Sequence, residues 1–437
     1  MTMWLVDIMF VGRVNAEAIG AVSIGGHLFY TVAIFGIGML LGLDYVVASA
    51  FGAGRPAEAQ RALFDGLYLS AALTIVLSAV VYAAIPILRS TGIRTSVLHG
   101  AVPYLEAMTW SLLPLLLFTA LRRYLQGIGI ATPIMVTIVA ANLVNAAAGW
   151  TLIFGHFGSP ALGALGAGWA TCVSRIFMFA SLAIYVLVRQ RSVWTDLLRA
   201  APRPDWTRIG RLVRLGLPAA AQVTLEIGVF GVATIVAGRL EPSALAAHQI
   251  ALSTAGLTFM VPLGVSSAGA VRVGQAVGRR DGVAARRAGW TALAVGAGFM
   301  LCAGIAFVLA PRTIMRVFTT DGAVIETRVS LLLVAALFQL FDGVQVVATG
   351  ILRGTGDTRT PMVVNLVGHW AVGLPIGYVL CFRREWGIVG LWCGLSIGLI
   401  AVALALLAVW ARRMRRRGED SAAARPIAGE ISMSVGA

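Results

Sequence analysis

From Gly66 to Leu88 the chain reads GLYLSAALTIVLSAVVYAAIPIL without one charged residue, and runs of this kind recur along its length. A helix needs about 20 such residues to cross roughly 30 Å of hydrocarbon. Inside lipid the backbone must satisfy its own polar groups, which leaves helices or a closed barrel. Barrel strands alternate apolar and polar residues over about ten positions, so uninterrupted runs of this length exclude the barrel. The apolar segments fall at 1–12, 25–51, 63–88, 97–121, 132–155, 162–188, 209–238, 243–271, 285–311, 329–352, 360–382 and 387–411. The expectation is an all-α integral membrane protein of twelve transmembrane helices, the first too short to span. Composition agrees: 59% of the 437 residues are hydrophobic and 12% charged, against about 25% charged in soluble domains.

The 34 basic residues are all Arg and, against 19 acids, leave a net charge of +15. In a soluble chain that excess would suggest nucleic acid. Here the arginines sit in short connectors between apolar segments, where orientation collects positive charge on the cytoplasmic side. No nucleic-acid partner is expected, and both termini are placed in the cytoplasm. Cys172, Cys302, Cys381 and Cys393 lie in or beside apolar segments at spacings that match no metal site. The glycine clusters at 127–129 and 354–356 carry no phosphate-loop pattern, and no nucleophile triad or cofactor motif is present. The chain therefore reads as no enzyme, with no cofactor beyond a coupling ion, H⁺ or Na⁺.

An internal repeat organises the chain. GRVNAEAIGAVSI (12–24) resembles GRLEPSALAAHQI (238–250), GRPAEAQRA (54–62) resembles GRRDGVAARRA (278–288), and LQGIGIATP (125–133) resembles LRGTGDTRTP (352–361). The spacing stays near 226. Two six-helix lobes follow, 1–188 and 209–411, joined by a cytoplasmic linker at 189–208 and followed by a basic, then polar tail at 412–437. Because each copy holds six helices, the repeats are parallel. A cavity between such lobes, opening alternately to either side, is a transporter plan. Subtracting the offset from Pro218 falls before Met1, so the first copy is expected to lack part of its opening helix, with a start codon upstream.

Ionisable groups within a bilayer are costly and usually face a cavity or a partner. Asp7, Asp44, Glu226 and Asp342 are such groups, and each also admits a structural role as a paired carboxylate between helices. Gln222, Glu226 and Phe230 share one helix face by their i, i+4, i+8 spacing. Gln339, Asp342 and Gln345 form a second polar stripe, with Phe338 and Phe341 beside it. Acid, amide and aromatic ring together suit an organic cation, while carboxylate and amide oxygens suit Na⁺ at Asp7, Glu226 and Asp342. His248 and Gln249 are placed to pair with Glu226 or Asp342, or to pack. Asn142 and Asn145 lie one turn apart, and Arg175 needs a partner or a route to the membrane surface. Gly38 and Gly42 form a small-residue pair suited to close helix packing.

VDIMFVGRV near the start, LRRYLQGIGIATP (121–133), LGLPAAAQ (215–222), LAAHQIAL (245–252), ILRGTGDTRTP and WAVGLPIGYVL (370–380) resemble the MATE family of multidrug and toxic-compound extrusion antiporters, in its NorM-like branch. The resemblance spans residues 1–411. It implies multidrug efflux of cationic or amphiphilic compounds across the bacterial cytoplasmic membrane in exchange for H⁺ or Na⁺, by a monomer contacting only substrate and membrane lipid. It also implies a first-lobe cation site at Asp7 and Asn145 and second-lobe acids at Glu226 and Asp342. Gly149 departs from the pattern, standing where many relatives carry a further polar residue. The alternatives are a lipid-linked saccharide flippase, whose cavity would be lined with Arg, and an inactive, N-terminally truncated paralogue.

Overall fold

The computed structural model describes residues 2–90, 92–189, 204–318 and 322–423. The central part of the expected linker and the end of the tail lie outside these. Among the described residues the chain is helical: α1 Thr2–Val11, α2 Ala16–Met39, α3 Gly42–Gly52, α4 Pro56–Ser90, α5 Thr95–Trp110, α6 Leu112–Gly127, α7 Thr132–Phe154, α8 Ala164–Arg189, α9 Trp206–Ala237, α10 Pro242–Gly278, α11 Gly282–Leu309, α12 Pro311–Phe318, α13 Gly322–Gly354, α14 Arg359–Asn365, α15 Leu374–Tyr378 and α16 Gly387–Ala423. Ten helical stretches are long and apolar enough to cross a membrane, with α2 and α3 forming one of them; α5 and α6, bent by 40° at Ser111, supply an eleventh. With the short α1 added, these account for the twelve apolar segments.

Two boundaries depart from the sequence reading for physical reasons. The second span begins at Ala16 rather than near residue 25, because Asn15 caps it, its Oδ1 accepting from the Ala18 amide at 2.7 Å. The eleventh segment is a broken helix in which π-helical turns at Leu366–Gly373 and Val379–Arg383 flank α15. Glycines let its backbone meet α16 at close range: a β-carbon at Gly394 would strike Gly377, and one at Gly398 would strike the Gly368 carbonyl. Wide turns of this kind recur at functional sites.

The repeat is visible in backbone conformation. Gly129 and Gly356, at matching places in the two copies, take φ of +85° and +84°. Gly54 takes +71° and its counterpart Arg280 takes +58°. Arg280, at the repeat spacing of 226 from Gly54, thus keeps a turn geometry disfavoured for a side chain with a β-carbon.

The chain divides into two compact units, residues 1–47 with 55–224 and residues 48–54 with 225–437. The main division, after residue 224, falls within α9, whereas the repeat placed the second lobe from 209. The start of α9 packs in unit 1: Arg208 Nε donates to the buried Asp65 at 2.7 Å, a β-carbon at Gly38 would meet Ala220, and one at Gly42 would meet Leu212 and Gly216. The glycine pair thus does what its spacing suggested. Unit 2 holds two buried apolar clusters, one around Phe338 and Trp392 and one around Ile351 and Trp410.

Candidate functional site

In unit 1 the functional side chains gather at α1, α7 and α8. Asp7 is 2% exposed. Asn145 Nδ2 donates to Asp7 Oδ1 at 3.3 Å, and Thr171 Oγ1 donates to Oδ2 at 2.7 Å. Buried Tyr104 and Arg175 lie within electrostatic reach of the cluster. The short α1 is seated by Phe10, which stacks edge-on against Phe154 with centroids 5.8 Å apart. Phe10 also fills the space over Gly149, where a β-carbon would meet its ring at 3.2 Å. The absence of a side chain at 149 leaves room for this ring, which seats α1 against α7.

Arg175 finds its partners here: Nη1 donates to Ser111 Oγ at 2.6 Å, Nη2 to the Tyr30 hydroxyl at 3.4 Å, and the guanidinium lies 4.8 Å from the Phe29 ring centroid. Asp44 pairs with Arg123 at 3.4 Å, both side chains being buried, so it ties α3 to α6. Asn142 bonds the Ile138 carbonyl of its own helix and makes no contact with Asp7. Thr171 escaped the sequence reading; its signal is the buried face it shares with Ser174 and Arg175 on α8.

In unit 2 the carboxylates sit on α9 and α13. Asp342 is 6% exposed, and the charge acting on it is that of Glu226, which is half-buried. Trp370, from the π-helical stretch, donates its Nε1–H to the Leu225 carbonyl at 3.0 Å and lies over Gly228, fixing α9 beside Glu226. Around Asp342 the amides bridge helices. Gln339 Nε2 donates to Thr258 Oγ1, and Gln345 Nε2 donates to Asn365 Oδ1 at 2.9 Å. Their Oε1 atoms are buried and accept no hydrogen bond, as is Asn145 Oδ1 in unit 1. Phe338 packs edge-on to Phe230 and Trp392 within the core. Phe341 is partly buried against the same cluster.

Gln222 is buried but belongs to unit 1. His248 and Gln249 do not join the carboxylates. Gln249 is exposed. His248 is fully buried; Trp392 Nε1–H donates to its Nδ1 at 3.0 Å, and its Nε2 lies 3.0 Å from Thr234 Oγ1. Since Nδ1 accepts, the neutral ring carries its proton on Nε2 and gives it to Thr234, whose hydroxyl donates to the Phe230 carbonyl. Both ring nitrogens are committed to this relay, which braces α9 against α10 and α16. Among the described residues no group of three or more His, Cys, Asp or Glu converges as a metal site.

The MatE family pattern matches residues 1–151 and 218–379. The chain belongs to the MatE family. The chain is 38% identical over 417 residues, covering 93% of itself and 88% of the relative, to a probable multidrug resistance protein NorM of Brucella suis. It is 37% identical over 413 residues to a protein of the same name from Xanthomonas axonopodis, covering 94% of itself and 90% of that chain. Among solved structures it is similar to the eukaryotic MATE transporter AtDTX14, with a TM-score of 0.81, 22% identity, and 96% and 94% of the two chains covered. An outward-facing multidrug resistance MATE transporter gives a TM-score of 0.85 at 19% identity, covering 96% and 93%. These likenesses place the described helices in the MATE fold.

Proposed function

We propose that this MATE protein is a multidrug exporter of the cytoplasmic membrane, with both termini on the cytoplasmic side, that expels cationic or amphiphilic organic compounds in exchange for H⁺ or Na⁺ by alternating access. The observation that carries the reading is the pair Glu226 and Asp342 in unit 2: Asp342 is buried, and the half-buried Glu226 lies within electrostatic reach of it. Like charges held together away from water repel strongly. A proton, a Na⁺ ion or the charge of an organic cation each relieves that repulsion, and one relieves it at the expense of the others. Competition for one negative site is what antiport requires. The unbonded amide oxygens of Gln339 and Gln345 supply neutral acceptors suited to a hydrated or partly dehydrated cation.

Asp7 serves a supporting role in this account. Its two oxygens accept from Asn145 and Thr171, bonds that tie α1 to α7 and α8. The test is ethidium efflux from cells lacking their own exporters: Glu226→Gln and Asp342→Asn are expected to abolish export while the protein remains in the membrane. Unimpaired export would refute the role. Repeating the wild-type assay with and without Na⁺ at fixed pH assigns the ion.

A further inference from the structure

Unit 1 contains a cavity of about 610 Å³, open on one side, between α4, the break from α5 to α6, and α8. Its position is set by the bend at Ser111. Straightening α5 and α6 into one helix would close it; the 40° break instead leaves Trp110, Leu113 and Pro114 as one wall and Ile176 and Phe179 as the other. The rim is apolar and outward-facing, with Trp110 68% and Ile176 51% exposed. Every wall belongs to a helix, or to the bent α5–α6 pair, long and apolar enough to span the membrane, and the exposed apolar rim suits contact with hydrocarbon.

The lining carries no charged side chain. Two of its hydroxyls are turned back on their own helices, Thr74 donating to the Ser70 carbonyl at 2.8 Å and Thr109 to the Leu105 carbonyl at 2.7 Å. Arg175, next to Ile176 in sequence, is drawn away to Ser111 and Tyr30. A surface lined mostly by apolar side chains, with two of its four hydroxyls bonded to their own helices and no carboxylate, does not select an organic cation; it selects saturated carbon. We propose that this groove binds one hydrocarbon chain of a membrane lipid. An empty groove of this size would forfeit dispersion contacts along its walls, and an acyl chain restores them. The site differs in place and chemistry from the carboxylate clusters, and its occupancy does not depend on the transport reading.

The test is photo-labelling of the full chain in lipid nanodiscs with a phospholipid carrying a diazirine on its acyl tail, read by peptide mass spectrometry. Labelling of peptides containing 109–117 and 176–179 is expected to exceed at least fivefold that of residues 135–143 on α7, which include exposed Met135, Val136, Val139 and Leu143. Filling the groove with Ser78→Phe, or independently with Ile176→Trp, should bring groove labelling down to the α7 level, while Ser78→Ala leaves it high; each variant is first shown to be monodisperse. Equal labelling of groove and α7 would mean annular contact only and would overturn the proposal. So would labelling indifferent to both filling variants, or labelling suppressed by ethidium and not by unlabelled lipid, which would make an organic cation the occupant.

Discussion

The two units each bury a carboxylate, and they surround it in opposite ways. In unit 1, Asp7 is surrounded by donors: Asn145 and Thr171 bond its two oxygens, and Arg175 lies within electrostatic reach. In unit 2, Asp342 lies within electrostatic reach of a second carboxylate, Glu226, while Gln339 and Gln345 spend their N–H groups on Thr258 and Asn365. The first arrangement ties α1 to α7 and α8 through the carboxylate. On the proposed function, the second gains most from a bound cation, because a cation relieves the repulsion between two like charges.

The largest expected effect breaks the unit 2 site. Glu226→Gln or Asp342→Asn, each isosteric, should lower ethidium efflux more than tenfold with normal membrane levels; efflux within twofold of wild type would remove the contrast. Asp7→Asn should cost less, a several-fold drop in rate with retained dependence on the coupling ion, measured in proteoliposomes. Loss of that dependence would move the coupling to unit 1.

Smaller effects sharpen the comparison. His248→Phe removes the acceptor for Trp392 and leaves that buried N–H unpaired at about 1–3 kcal/mol, while Thr234 keeps its bond to the Phe230 carbonyl. Thermal unfolding in detergent should show the loss, and the pH profile of efflux should not move; a shifted profile would make the ring part of the coupling. Smallest is Thr171→Val, which deletes one hydrogen bond to a buried charge, about 1.5–3 kcal/mol. It should lower the unfolding temperature while leaving the efflux rate near wild type.

What the sequence made legible follows from these energetics. The helix count could be read because lipid makes an unsatisfied backbone costly, so a long uncharged run must be a helix. Asp7, Glu226 and Asp342 stood out because an acid inside such a run is costly wherever its partners are. The partners were illegible: Asp7 meets Asn145 138 positions away and Thr171 164 positions away, and no local period encodes such pairings. His248 shows the limit most clearly. Its place in LAAHQIAL put it among candidates for the carboxylate site, yet the rotation of α10 sends it to Trp392. Arg175 reverses the case, since a charge with no visible partner in sequence finds Ser111 at the helix break.

The claim that unit 2 exchanges one cation for another is tested most directly by cation release. Tetraphenylphosphonium is added to purified protein in weakly buffered detergent solution, following proton release with a pH electrode and the Na⁺ dependence of its Kd by calorimetry. The account predicts that wild type and Asp7→Asn release a proton or lose affinity as Na⁺ rises, and that Glu226→Gln and Asp342→Asn do neither. Release that persists in both unit 2 variants and vanishes in Asp7→Asn would contradict it.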